Sequence, residues 1–419
     1  MSAASWPSRL WRRLPASARR RWLGRAGAWL APSPPQPPPA ATGGVVVAGE
    51  LSRATGLGEG ARRMLDALAG LGIPAWGLDL GKLLPAHTPD LPAPPWPPPW
   101  PGPPAEAALI LHVNPPLLGL ALARLPRPLL RGRRRVGYFV WELPRAPADW
   151  ACGIRLVHDV WTPSGFAAAA LAPLGPPPVV VPHPLAACPP APSALGRADF
   201  GLPETALVVL VSANLASSFA RKNPLASVAA FRAAFGDRTD RLLLLKLGHA
   251  DHAPADLGVV RAATAGMSNV RIETRTLPPA DSLALTRAAD LVLSLHRSEG
   301  AGLVPAEAML LGVPVIATGW SGNLDFMDAT SAALVRYRLV PVEDPRGVYA
   351  GPGAEWAEPD IDDAAAWLRR LAEDASARRA LGAAGQAMAR ARLGAAPLEA
   401  AVRALAAHPP RAGPREGRR

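Results

Sequence analysis

Two carboxylates, Glu299 and Glu307, stand eight residues apart in the stretch EGAGLVPAEAMLLGVPVIATGWSGN, residues 299–323. That spacing sets one acid on a loop and the other inside a helix. Residues 291–295 form an apolar run of strand length, and Pro305 opens a helical pattern that Gly312 ends, so Glu307 falls in the first helical turn. Between the acids, Gly300 and Gly302 let the backbone approach a ligand closely, and the loop leads to a helix start whose unpaired N–H groups attract phosphate. Residues 313–317 read as the next strand, and 318–323 repeat the glycine-rich turn. Two such loops open at one edge of a parallel sheet. Taken alone, Glu307 is an ordinary acid favoured near a helix N-terminus by the macrodipole. The fixed offsets of Glu299, the glycines, Pro305 and the Pro314 strand point to ligand binding instead.

The chain has only three lysines, Lys82, Lys222 and Lys246, and otherwise uses arginine. Lys222 follows Arg221, just after a strand over 207–211 and just before a helix that begins Asn223-Pro224. At the carboxyl edge of a sheet that pair faces the same crevice as Glu299. A compact ammonium beside a planar guanidinium suits a diphosphate whose charge grows as it leaves; the plain alternative is a basic pair on a solvated loop. Earlier in the chain, Thr55-Gly56-Leu57-Gly58-Glu59-Gly60 follows a first strand. Its Gly-x-Gly-x-Gly spacing is not the dinucleotide fingerprint, which argues against a dehydrogenase. Asp360-Ile361-Asp362 is the one acid pair spaced for a metal–nucleotide site, and capping of the helix that follows accounts for it, so no metal is expected.

The stretch 299–323 resembles the Glu-x7-Glu signature of the family 4 glycosyltransferases, retaining enzymes of the GT-B fold. TGLGEG, YFVWELP, VWTPSGF, RKNP and the LVPV of residues 339–342 extend the resemblance over residues 44–405. It implies that Lys222 binds the donor diphosphate, with Arg221 standing in for a second arginine that the family often places earlier, where this chain has Ala216. Glu299 would contact hydroxyls of the donor sugar, Glu307 the ribose, and the backbone of Gly302, Leu303 and Val304 the sugar and phosphates. Gly58 and Asn323, in the two glycine-rich turns, count with the donor-binding residues. Many members carry a histidine after a central strand of the first domain, whereas residues 137–144 here read GYFVWELP. Glu142 is therefore the candidate catalytic group there, beside Trp141, with His112 as a further strand-end candidate.

The resemblance implies transfer of a hexose, with retention, from a UDP- or GDP-linked sugar to a sugar or lipid-linked glycan acceptor in cell-surface polysaccharide or glycolipid assembly. The nucleotide sugar is a substrate, and no cofactor is expected. Two rivals stay open: a degenerate GT-B domain acting as a scaffold or regulatory binder, and a nucleotide-sugar epimerase, which needs acid/base residues on both faces of the sugar.

With 419 residues and alternating strand and helix patterns, the chain suits an α/β protein of two Rossmann-like domains facing across a cleft. The expected divisions are a basic Trp/Arg and Pro-rich segment (1–43), a first domain on the acceptor side (44–185), a linker (186–204), a nucleotide-sugar domain (205–408) and a basic tail (409–419). The net charge of +12 resides mainly at the ends: residues 1–31 hold seven arginines and no acid, and 409–419 hold four arginines against Glu416. A nearly neutral middle argues against a nucleic-acid groove. In residues 5–30 tryptophans alternate with arginines, which suits an anionic membrane surface; a disordered basic tail is the equal alternative, since Pro7 and Pro15 interrupt any single helix. Two cysteines, no apolar run of membrane length and no signal-peptide core place the protein in the cytoplasm, with the inner face of the cell membrane as its possible docking surface.

Overall fold

The computed structural model describes residues 16–84, 102–189 and 191–407. The tail 409–419, the tryptophans and arginines before residue 16, and most of the proline-dense stretch 92–104 lie outside those residues.

The first domain is built on β1 (Val45–Gly49), β2 (Ala75–Asp79), β3 (Ala108–His112), β4 (Arg135–Tyr138), β5 (Asp159–Thr162) and β6 (Val179–Val180). They form one parallel sheet in the order β2-β1-β3-β4-β5-β6. β1 reads VVVAG and β3 ALILH, with every residue buried, as expected for strands covered on both faces. Thr55 caps the helix Gly56–Gly70, its Oγ1 accepting from the Gly58 N–H at 3.0 Å. That helix buries Met64, Leu65 and Leu68 against the sheet.

The second domain follows with β7 (Leu207–Asn214), β8 (Arg241–Gly248), β9 (Val270–Glu273), β10 (Leu291–Ser294), β11 (Val315–Thr318) and β12 (Ala333–Val335). These also run parallel, in the order β12-β11-β10-β7-β8-β9. An antiparallel hairpin of β13 (Tyr337–Pro341) and β14 (Glu355–Pro359) projects from it and carries the segment 342–354 on its tip. Two α/β domains with the carboxyl ends of both sheets opening on one cleft is the architecture expected from the sequence.

Three segments are placed differently from that expectation. Residues 16–30 form a helix, Ala16–Leu30, seated on the helix Pro115–Arg124 of the first domain rather than a tail. The seat depends on small residues, because a Cβ on Gly119 would fall 2.3 Å from the Gly27 carbonyl carbon and one on Gly24 would fall 3.3 Å from Cys152 Sγ. The supposed linker 186–204 is part of the second domain's packing: Phe200 and Leu202 are buried in its core, and Arg197 pairs with Asp290 at 2.6 Å. The last helix, Ala396–Ala406, expected to finish the second domain, instead packs on the first. Leu398, Ala401 and Leu405 join the core of Met64 and Leu65, and the Ala41 N–H donates to Leu405 O at 2.8 Å.

Candidate active site

Parallel strands aim their carboxyl ends at a common edge, and loops at that edge form the ligand crevice of open α/β sheets. Here a cavity of about 560 Å3 lies between the two edges, with Glu50, Asn114, Glu142 and His183 on the first-domain side. On the other side stand Lys222, Arg221, Lys246, His249, Glu299 and the backbone of Gly302 to Val304.

Four of the candidate residues meet in one charge cluster. Lys222 Nζ lies 2.5 Å from Glu299 Oε1, and Arg221 Nη1 lies 3.0 Å from Glu299 Oε2. Arg221 Nη2 stands 3.8 Å from the Glu142 carboxylate across the domain boundary. The Arg221 guanidinium is buried, donating to Ser298 O at 2.7 Å and to Ser217 Oγ at 3.2 Å, whereas the Lys222 side chain stays 22% exposed. Burial pushes Glu299 up, but Lys222 and Arg221 outweigh it and hold the carboxyl well below its ordinary range. Glu142 shifts the other way: burial and the Glu299 charge raise it against the pull of Arg221. Lys222 is lowered by burial and by Arg221, with Glu299 opposing.

The loop bearing Glu299 is fixed by tight backbone contacts. A Cβ on Gly300 would lie 2.6 Å from Val140 Cγ1, so glycine lets this loop close on the first domain. Ser164 Oγ donates to Gly300 O at 2.6 Å, and Ser321 Oγ accepts the Glu299 N–H at 2.8 Å. Gly302 adopts φ +89° and begins the helix Leu303–Leu310 without a side-chain cap, which leaves its N-terminus turned to the cavity.

That helix starts earlier than Pro305, so Glu307 sits in its second turn rather than its first, and the macrodipole no longer explains the residue. Glu307 stands one turn beyond Leu303 on the same face and is half-buried. Burial, reinforced by the charge of Glu59 and opposed by Arg63, raises its pKa to about 7.

Glu307 is not itself among the residues that line the cavity, standing one turn behind Leu303, and Gly58, Asn323 and His112 fall outside the lining too. Gly58 serves packing: its N–H is taken by Thr55, and a Cβ would meet Glu50 O at 2.4 Å, while Gly56 and Leu57 face the cavity instead. Asn323 is wholly buried, donating to Thr318 O at 3.1 Å and accepting from His296 Nε2 at 3.1 Å, and so ties the loops after β10 and β11 together. His112 is buried against Tyr138, ring centroids 4.3 Å apart, with its pKa lowered well below normal by burial and by His183.

Two residues were missed. His183, after β6, lines the cavity, and burial lowers its pKa to about 4, so the ring is neutral at physiological pH. Tyr138 donates to Val181 O at 2.8 Å, leaving its oxygen to accept from His183 Nδ1 at 3.3 Å and the Nε2 lone pair as the free acceptor. A histidine between two prolines at a strand end was the available signal. Tyr349, on the tip of the β13–β14 hairpin, hydrogen-bonds Glu142 and places its ring centroid 5.7 Å from the Arg221 guanidinium carbon.

Among protein families, the model described as "Family 4 Glycosyltransferase in conflict systems" matches residues 167–404. Comparison with curated protein sequences finds no match. Among solved structures, the chain is similar to HepE of Anabaena, solved in complex with UDP and glucose: 15% identity, TM-score 0.57, covering 87% of this chain and 97% of that one. It is similar to sucrose-phosphate synthase of Thermosynechococcus elongatus at 16% identity and TM-score 0.58, covering 85% and 97%. A glycosyltransferase of Rickettsia africae gives 11% identity and TM-score 0.58, covering 87% and 98%. The shared two-sheet architecture is the GT-B fold.

Proposed function

The chain belongs to the family 4 glycosyltransferases, and from that premise we propose that it moves a hexose from a nucleotide-diphosphate sugar to a hydroxyl acceptor with retention of configuration. One observation carries the reading: Arg221 and Lys222 converge on Glu299 at the edge of an uncapped helix N-terminus, inside the cleft between the sheets. Two fixed cations and free backbone N–H groups stabilise charge that develops on a leaving diphosphate, without reorganisation at the moment of reaction. That HepE binds UDP and glucose supports a UDP-linked hexose as the first donor to try.

In this reading Lys222 exchanges part of its contact with Glu299 for the diphosphate, and the released carboxylate oxygen turns to the sugar hydroxyls. Arg221 stays anchored by Ser298 and Tyr349 and supplies the second charge. Glu307 takes the ribose, and the Glu142 carboxylate with the His183 Nε2 faces sugar hydroxyls from the first-domain side. The diphosphate is neutralised by these side chains and by the helix start rather than by a metal. A role in polysaccharide or glycolipid assembly, at the inner face of the cell membrane, completes the proposal.

Calorimetry with UDP, UDP-glucose and GDP, beside donor-hydrolysis assays without acceptor, tests it. Micromolar binding of one nucleotide diphosphate and slow hydrolysis of its hexose conjugate are expected; binding with no hydrolysis or transfer for any donor would favour a scaffold.

A further inference from the structure

A second cavity, of about 680 Å3, lies between the helix Ala16–Leu30, the first-domain segment 141–149 and the tip of the β13–β14 hairpin. Its volume is that of a small-molecule site. Its walls are largely apolar, with Leu143, Ala146, Leu339 and Val348 beside the rings of Trp141 and Tyr349. Three guanidiniums line it against two carboxylates, Asp149 and Glu355. Arg20 is held by Asp149 at 3.2 Å and by Val348 O at 3.0 Å. Arg21 and Arg145 are exposed, and neither forms an ion pair among the described residues. An apolar chamber with two available guanidiniums matches a chain that carries an anionic phosphate, which arginine binds in bidentate fashion.

The surface beside the mouth indicates where such a molecule comes from. Arg21 opens an exposed stripe of the same helix, Trp22, Arg25 and Trp29, at the three- and four-residue spacing of one helical face. Trp22 is 61% and Trp29 85% exposed, although the opposite face of the helix is buried on the domain. Exposed tryptophans alternating with arginines fit the interface of an anionic bilayer. On the inner side, the wall is shared with the catalytic cluster: Trp141 and Tyr349 line this cavity, while Glu142, bonded to Tyr349, lines the cleft.

We propose that this cavity seats the phosphate and first part of the hydrocarbon chain of a lipid-linked acceptor drawn from the membrane, with its sugar passing Glu142 toward the donor. The assignment rests on the transferase reading. Binding of dodecyl phosphate below its micellar concentration, followed by tryptophan fluorescence, tests it on the full chain, with dodecanol and inorganic phosphate as comparisons and UDP calorimetry run in parallel. Dodecyl phosphate should bind saturably and much more tightly than either comparison compound. The double variant R21E/R145E should lose at least about tenfold in that affinity, and Ala350→Trp, which fills the cavity from an exposed position, should lose as much, with UDP affinity unchanged in both. Equal binding of dodecanol or of inorganic phosphate, or variants within about twofold of the parent, would overturn the site. A protein that binds dodecyl phosphate as stated but no nucleotide diphosphate would overturn the transferase reading and leave a lipid-phosphate site standing.

Discussion

Lys222 and Arg221 are neighbours in the chain and unequal in the site. Arg221 is buried and fixed by Ser298, Ser217 and Tyr349, so its removal takes the nearest cation from Glu142, leaves Glu299 with Lys222 alone and threatens folding as well as activity. The Lys222 side chain is partly exposed and, among the described residues, pairs with Glu299 alone, which makes it the cleaner probe. Lys222→Ala should lower turnover by roughly two to three orders of magnitude at saturating donor with little change in thermal stability; near-normal turnover would refute its role. The two acids should fail differently. Glu307→Gln should weaken binding of the nucleotide diphosphate alone, because the ribose is part of that ligand, whereas Glu299→Gln should leave that affinity nearly intact and lose transfer. The raised pKa of Glu307 adds a pH dependence. The carboxylate form is the better partner for ribose hydroxyls, so binding favours proton release and nucleotide affinity should rise as pH passes from below 7 to above it. In the free protein the sign is opposite: stability present below the ordinary carboxyl range is lost as pH rises toward about 7. Both trends should flatten in Glu307→Gln, and an unchanged pH profile in calorimetry and denaturation would remove the assignment. Glu299, Arg221 and Lys222 were legible because a short motif places each in the segment that follows the carboxyl end of a strand. His183 and Tyr349 were not, since each acquires its meaning from a partner far away in sequence, Tyr138 for one and Glu142 for the other.

At the scale of elements, most of the strands could be read from apolar runs, yet the amino-terminal helix could not. Its arginines and tryptophans have the pattern of a tail, and the residues that seat it, Gly24 and Gly27, are silent until Cys152 is placed opposite the first and Gly119 opposite the second. Small residues on facing helices let the backbones approach, and a sequence shows only one side of such a contact at a time. The consequence is that deleting residues 1–42 would uncover the helix Pro115–Arg124 and reduce stability, so truncation cannot isolate membrane binding. Gly119→Ala should destabilise the protein by roughly 1–3 kcal/mol in chemical denaturation, since its Cβ would meet backbone that cannot turn aside. Trp22→Ala with Trp29→Ala leaves that seat intact. The pair should stay folded and lose sedimentation with phosphatidylglycerol vesicles; retained sedimentation would place the contact elsewhere.

For the whole molecule, the decisive feature is that the chain returns to its first domain. A sequence cut into consecutive domains assigns the last helix to the second sheet, because proximity along the chain is the only guide when Leu398, Ala401 and Leu405 could complete either core. In the structure they complete the first, and Arg134 reaches across to donate to Leu405 O at 3.2 Å while pairing with Asp159 at 2.8 Å. The helix Ala396–Ala406 therefore crosses the boundary as a strap and ties the two faces of the cleft independently of any ligand. Its removal acts on the first domain, not on the domain it follows. A protein ending at residue 395 should lose about 2–5 kcal/mol from the first domain for each large buried side chain that leaves a cavity, and its unfolding should split into two transitions. Leu405→Ala, which keeps the strap but trims one contact, should shift the same transition by a smaller amount. A synthetic peptide of residues 396–407 added to the shortened protein should restore a single transition, since the groove it fills is already formed by Met64, Leu65 and the first sheet. Calorimetry of the shortened protein, with and without the peptide, decides the matter: one cooperative transition at the parent's temperature without peptide would show that the strap contributes nothing to holding the domains together.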